Sequence, residues 1–316
     1  MPTDHEMARA VWIERFGGPE VVQVTQVPVP GLVASEVLVR TNVASINPVD
    51  VKTYEGKYPP MGEGKLPFVL GRDLAGEIEA IGPGVGAWLV GDRVAAFIGT
   101  DRGAQSELVV VKVEELVHVP DGIDTRTAGA VPLVAMTAWQ GLFDHGGLAA
   151  GQRVLIHGGA GGVGHMAVQF AKWKGATVIA TASAQDLDFV RSLGADAVVD
   201  YKNDRFEDAA TDMDMVFDTQ GGETQARSFG VLKKEGILVS TLQPDEKKAA
   251  EMGVRAVPHW QAAPNAAELD QVLRLIADGR VRVEIARSFP LGQVRDAQRF
   301  LREEHPRGKV ILEIGE

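Results

Sequence analysis

The stretch RVLIHGGAGGVGHMAVQFAKWKG, residues 153–175, holds the strongest structural signal in the chain. RVLIH is a short aliphatic run, the composition of a buried strand. It breaks into Gly158, Gly159, Ala160, Gly161, Gly162, Val163 and Gly164, of which Gly159, Gly161 and Gly164 form a G-x-G-x-x-G triplet. With 36 glycines in 316 residues, chance alone supplies roughly half such a triplet, so the pattern acquires meaning only from its surroundings. Those are specific. The triplet follows a strand and opens a helix in which Val163, Ala167, Phe170 and Ala171 fall on one face. Strand, glycine turn and helix in that order let bare backbone approach a diphosphate at the positive end of the helix. Gly159, Ala160, Gly161, Gly162, Val163 and Gly164 are therefore candidate cofactor-binding residues; a tight turn without a ligand is the alternative.

Downstream, apolar five-residue runs alternate with helical stretches: TVIATAS (177–183), AVVDY (197–201), MVFDT (215–219) and ILVST (237–241). Such alternation predicts a doubly wound parallel sheet covered on both faces. Upstream, residues 1–122 are punctuated every 8–12 residues by Gly, Pro or Asp, and the β-branched runs between (VVQVTQV, EVLVRTNVAS, AGEIEAIG, ELVVVKV) predict a β-rich, barrel-like domain. The last 30 residues return to strand texture around a helix at QVRDAQRFLREE. The expected organisation is α/β, with a discontinuous β-barrel domain (1–122 and 285–316) and a Rossmann dinucleotide-binding domain (123–284).

Composition narrows the function classes. Hydrophobic residues at 45% and charged residues at 24% are globular values. A net charge of −11 disfavours nucleic acid and anionic membranes as partners, and no apolar run approaches a membrane span. The N-terminal MPTDHEMARAVWI carries Asp4 and Glu6 before any apolar stretch, the reverse of a secretory signal. There is no Cys, hence no disulfide framework and no thiolate zinc site. A cytoplasmic setting is expected. The seven His show no ligand spacing.

In dinucleotide-binding folds the end of the strand after the glycine turn carries an acid that accepts from the ribose 2′-OH of NAD. Here that end reads ATAS, with Ser183 in the place and Asp186 and Asp188 further on. A carboxylate would repel a 2′-phosphate, so its absence admits NADPH; Ser183 as an N-cap alone is the other reading.

A series of segments, FGGPEVVQV (16–24), ASINPVDVKTYEGKYP (44–59), LPFVLGRDLAGEIEAIGPGV (66–85), VGDRVAAF (90–97), AGAVPLVAMTAWQGL (128–142), HGGAGGVG, LGADAVVDY (193–201), VFDTQGG (216–222) and RGKVILEI (307–314), resembles the zinc-free quinone oxidoreductase and enone reductase branch of the medium-chain dehydrogenase/reductase superfamily. The resemblance spans nearly the whole chain and implies a GroES-like barrel beside a Rossmann domain. Zinc-dependent members place a Cys where this chain has Asn47 and a His-Glu pair where it has Arg72-Asp73, with a third ligand near Leu133. No catalytic metal is expected. The resemblance also implies Tyr201 near a 2′-phosphate, Thr137 near the nicotinamide and Lys309 near the cofactor edge; a lysine common after the Ser183 position is missing, with Gln185 and Asp186 there instead. It places Asn47, Lys52 and Tyr58 in the cleft as candidate catalytic groups. The plainer readings are that Asn47 caps a helix, Lys52 is exposed and Tyr58 packs in a loop.

Other enzyme classes fail on motif. The residues four after Tyr54, Tyr58 and Tyr201 are Tyr58, Gly62 and Arg205, so no Tyr-x-x-x-Lys pair exists; G-x-S-x-G and a P-loop are likewise absent. The expected activity is zinc-independent hydride transfer from NADPH to a quinone or α,β-unsaturated carbonyl. A crystallin-like or regulatory NADPH-binding protein without turnover is the alternative. The segment MGVRAVPHW (252–260), an edge strand in the family, implies a homodimer.

Overall fold

The computed structural model describes residues 6–315; Asp4 and His5 of the acidic N-terminal segment lie outside the described residues. The chain forms two compact units. One runs to Leu133 and takes in Ala263–Asp278 and the segment from Ile285 onward; the other comprises Val134–Ala262 and Gly279–Glu284.

The first unit is antiparallel over most of its length. Its strands are β1 (Met7–Ile13), β2 (Gln23–Pro28), β3 (Glu36–Ile46), β4 (Phe68–Val69), β5 (Asp73–Ile81), β6 (Arg93–Phe97), β7 (Leu108–Lys112) and β8 (Leu116–His118). β3, eleven residues long, pairs with both β5 and β7, and Val37, Val39, Leu74, Ile78, Val94 and Val111 from these strands and β6 form a sealed core. Its register sets Ala44 opposite Leu74, which brings Ser45 beside Asp73. Pro48 then pre-sets the helical backbone at the first position of α1 (Pro48–Tyr54), so only Asn47 stands between the end of β3 at Ile46 and the helix. α2 (Thr125–Ala130) starts where the Asp124 carboxylate accepts from Thr127 N–H.

In the second unit α3 (Pro132–Trp139), whose first two residues belong to the first unit, leads into a π-helix over Gln140–His145. There follow β9 (Arg153–Ile156), α4 (Gly162–Trp173), β10 (Thr177–Ala182), α5 (Leu187–Ser192), β11 (Ala197–Asp200), α6 (Phe206–Ala209), β12 (Met213–Asp218), α7 (Gly222–Ser228), β13 (Leu232–Ser240), α8 (Glu246–Glu251) and β14 (Arg255–Ala256). The six strands are parallel in the order β11-β10-β9-β12-β13-β14. This is the doubly wound dinucleotide-binding order, with the reversal of winding at β9, the strand that feeds the glycine turn. The expected edge strand 252–260 shrinks to the two residues of β14, because Pro258 two positions on has no N–H for a ladder.

Burial of α4 goes beyond the face that carries Ala167, Phe170 and Ala171: every residue from Gly164 to Ala171 is buried, including His165 and Gln169. The polar members are satisfied locally: Gln169 donates to Arg282 O (2.9 Å) and accepts from Arg282 N–H (2.8 Å), and His165 Nδ1 lies 3.0 Å from Gly161 O. The chain then adds α9 (Ala266–Ala277), β15 (Ile285–Pro290), α10 (Val294–Glu304) and β16 (Lys309–Glu313) to the first unit. β16 pairs antiparallel with β3, Val310 opposite Ile46, so Lys309 arrives beside Asn47. No helix among the described residues is long and apolar enough to cross a membrane.

Candidate functional site

In the second unit the glycine turn is shaped by exclusion of side chains. A Cβ on Gly164 would stand 2.0 Å from Gly158 O, and one on Gly159 would meet Ala180 Cβ at 3.0 Å and Val190 Cγ1 at 3.1 Å. Gly164 therefore lets the helix seat on the turn, and Gly159 lets the turn lie against β10. Gly161 is different. Its nearest neighbour to a Cβ is Gly158 O at 3.5 Å, so packing within the chain does not demand glycine there, and the space over it is open to the close approach of a ligand. Gly161 also caps α4 without any side-chain acceptor, which leaves the first-turn N–H groups of Gly162, Val163 and Gly164 for an anion. Ala160 is buried at the same turn, and Thr137 is half-buried on α3.

At the end of β10, Ser183 precedes a short 3₁₀ turn and its Oγ donates to the Asp186 carboxylate at 2.7 Å. Sequence reasoning set Asp186 aside as a residue of the following helix. The turn folds it back instead, buried, against the serine. Tyr201 follows β11, its N–H bonded to Ala182 O and its ring 58% exposed beside Lys202 Nζ at 5.8 Å.

The first unit holds a buried polar cluster around Asn47. Asn47 Nδ2 donates to Ser45 Oγ and to Asp73 Oδ1, both at 3.0 Å, and Asn47 Oδ1 accepts from Lys309 Nζ at 2.6 Å. Lys309 also donates to Ile46 O (3.0 Å), Ser45 Oγ to Asp73 Oδ1 (2.6 Å), and Leu133 N–H to Asp73 Oδ2 (3.0 Å). Asp50 Oδ2 accepts from Asn47 N–H (2.8 Å) and from Gln105 Nε2 (3.1 Å). Asn47 is thus both the cap of α1 and the hub of a network. Burial pushes the Asp50 carboxyl up to about 7, helped by the Asp73 charge, while the Asn47 N–H and the Lys309 and Arg72 cations pull the other way. Burial also lowers Lys309, against the pull of Asp73 and Asp50.

Of the other cleft candidates, Lys52 is exposed on α1. Tyr58 is buried, and its hydroxyl accepts from Arg72 Nη1 at 2.9 Å, while Arg72 Nε donates to Ile98 O. Ser45, Asp73 and Gln105 were missed as members of this cluster. The signal that could have found Ser45 and Asp73 is strand register, since both face each other only once β3 and β5 are paired.

Residues 33–121 match the family model described as alcohol dehydrogenase GroES-like domain, and 193–312 the one described as zinc-binding dehydrogenase. The chain is 32% identical to a quinone oxidoreductase of Pseudomonas aeruginosa over 97% of its own length and 99% of that protein. The chain belongs to the quinone oxidoreductase branch of the medium-chain dehydrogenase/reductase superfamily. A chloroplastic NADPH-dependent alkenal/one oxidoreductase of Arabidopsis thaliana is also 32% identical, over 94% of this chain and 77% of that one. The solved quinone oxidoreductase of Coxiella burnetii superposes with a TM-score of 0.91 at 31% identity, covering 98% of this chain and all of the other. The GroES-like and Rossmann assignments of the two units follow.

The zinc named in the second family model does not fit these residues. The positions that carry ligands in zinc-dependent members hold an amide, an arginine, a carboxylate with three donors on it, and a leucine. A lysine ammonium stands 2.6 Å from Asn47 Oδ1, where a divalent cation would be repelled. Among the described residues no group of three or more His, Cys, Asp or Glu is arranged to hold a metal ion.

Proposed function

We propose that this member of the family passes a hydride from NADPH to a quinone or α,β-unsaturated carbonyl without zinc. The observation that carries the reading is the Asn47 cluster: the place of a Lewis acid is filled by hydrogen-bonded side chains, while the other unit carries an intact cofactor turn. Reducing an isolated ketone builds a localised alkoxide, which zinc-dependent enzymes stabilise through the metal. A conjugated acceptor spreads the incoming charge over an enolate or hydroquinone anion, so a few hydrogen-bond donors suffice. The names of the Pseudomonas and Arabidopsis relatives agree with that substrate class and, for the second, with NADPH.

When bound, the cofactor supplies the hydride from its nicotinamide C4. The chain's part is to hold and polarise. The backbone of Gly159–Gly164 receives the diphosphate, through the N–H groups of Gly162, Val163 and Gly164, Ser183 and Tyr201 receive the adenosine 2′-phosphate end, and Thr137 and Lys309 complete the cofactor contacts. Lys52 offers an exposed ammonium to the acceptor oxygen. Tyr58 donates to the same oxygen while its own hydroxyl oxygen accepts from Arg72. Asn47 already gives both amide hydrogens to Ser45 and Asp73, so its contribution runs through the network it orders. The homodimer, the cytoplasmic setting and the domain limits 1–122 with 285–316 and 123–284 belong to the same proposal; light scattering that returns the mass of one chain at micromolar concentration overturns the dimer.

The test is steady-state cofactor oxidation against a panel of quinones, enones and simple ketones, with NADPH and NADH side by side. Turnover of the conjugated acceptors with NADPH preferred is expected. Activity confined to simple ketones or alcohols removes the proposed chemistry, equal use of both cofactors removes the NADPH preference, and tight binding without turnover favours a regulatory role.

A further inference from the structure

His157, the residue between β9 and the glycine turn, is 1% exposed and has no part in the chemistry above. Its hydrogen bonds assign its protonation. Ser228 Oγ donates its only proton to Thr224 O (2.7 Å), so toward His157 Nε2, 2.8 Å away, it accepts. Nε2 therefore carries the ring proton, and Nδ1 is the acceptor facing the Thr181 hydroxyl at 3.3 Å. Burial holds the imidazolium form down, with a pKa of about 4, although Asp218 pulls it up. With its proton turned to Nδ1, Thr181 Oγ1 offers a lone pair to Gly158 N–H at 3.1 Å, and Thr181 O takes Gly159 N–H at 2.8 Å. From the other side Thr219 Oγ1 donates to His157 O (2.8 Å).

The peptide so gripped is the pivot of the turn. Gly158 has φ +72°, its carbonyl accepts Gly161 N–H at 3.0 Å, and that same oxygen sits where a Cβ on Gly164 would fall. The orientation of Gly158 thus dictates where Gly161 and the first turn of α4 stand. We propose that neutral His157 is a positioning residue for the dinucleotide: acting through Thr181, it fixes the Gly158 peptide and with it the amides that receive the diphosphate. This rests on the dinucleotide reading of the turn. The line of contacts runs from α7 through Ser228, His157 and Thr181 to the turn without a gap.

The experiment is titration of NADPH and of NADH onto wild type, His157→Phe, Thr181→Val, Thr181→Ser and Ser228→Ala, together with the acceptor KM. Loss of one such hydrogen bond is expected to raise Kd about fivefold in His157→Phe and Thr181→Val. The rise is equal for both cofactors because the diphosphate is common to them. Thr181→Ser restores wild-type affinity, Ser228→Ala gives a smaller rise in the same direction, and the acceptor KM stays within about twofold throughout. Where His157→Phe does not fold, Thr181→Val and Ser228→Ala decide. Cofactor affinities unchanged in variants with lowered Tm, or a rise confined to NADPH, overturn the positioning role alone. Wild type that binds neither dinucleotide overturns the functional reading and this inference with it.

Discussion

At the Gly158–Gly164 turn the working atoms are backbone amides, and side chains are kept out by contacts as short as the 2.0 Å that a Cβ on Gly164 would make. At the Asn47 cluster the working atoms are side chains, brought from β3, α1, β5, the Gln105 loop and β16 into one buried network. The first region takes its amides from a few consecutive residues, braced from outside by Thr181 and Thr219. The second exists only after strands far apart in the chain have paired. A run of consecutive amides is shifted only in part when one of its outside braces is removed, whereas a network of buried charges fails as a whole when one member is removed.

That contrast can be broken by substitution. Asp73→Ala leaves Ser45 Oγ, Asn47 Nδ2 and Leu133 N–H without their acceptor beside a buried Lys309, and is expected to cost about 3–5 kcal/mol in denaturant unfolding. Asp73→Asn, which keeps an acceptor oxygen, costs about half as much. In the turn, Gly164→Ala drives a methyl into Gly158 O and costs about 2–3 kcal/mol with loss of dinucleotide binding. Gly161→Ala, whose methyl would make only an ordinary contact at 3.5 Å, leaves unfolding within about 0.5 kcal/mol but weakens dinucleotide binding, as isothermal titration would show. Equal stability losses for the two glycines would show that the turn is packing and not a ligand seat.

Acid separates the regions by sign. Asp50 has its pKa raised from 3.8 to about 7, so the stability it contributes is full below about pH 4 and lost as pH rises through about 7. His157 has its pKa lowered from 6.5 to about 4, so its contribution is full above about pH 6.5 and lost as pH falls toward 4. Each is worth on the order of 3–4 kcal/mol across its window. In a Tm series between pH 4 and 7, Asp50→Asn makes the slope with pH more positive and His157→Phe makes it more negative. Parallel curves for wild type and both variants would remove the assigned protonation states.

Two smaller effects concern ligands. Lys52→Ala and Tyr58→Phe are each expected to lower kcat/KM for a conjugated acceptor by about 1–3 kcal/mol in activation free energy. Lys52, being exposed, does so without change in Tm. Asp186→Asn removes the carboxylate that the Ser183 turn folds back and is expected to shift the ratio of NADPH to NADH affinity about three- to tenfold toward NADPH, while Ser183→Asp shifts it toward NADH. An unchanged ratio in both variants would place the adenosine phosphate elsewhere.

Much was legible before any coordinates: a strand, a glycine turn and a helix in 153–175, apolar runs recurring between helices, β-branched runs elsewhere, and the absence of zinc-ligand residue types at 47, 72 and 133. These follow from spacing within a few residues, where backbone sterics and side-chain period leave little choice. Tertiary structure alone decided that Lys309 is a buried cation against Asn47, that Asp186 returns to Ser183, that α4 is buried all round, and that His157 is held neutral between Ser228 and Thr181. Three of these depend on which element lies against which, and Asp186 on how one turn closes. A linear spacing rule carries neither, because desolvation and hydrogen-bond satisfaction act on neighbours in space.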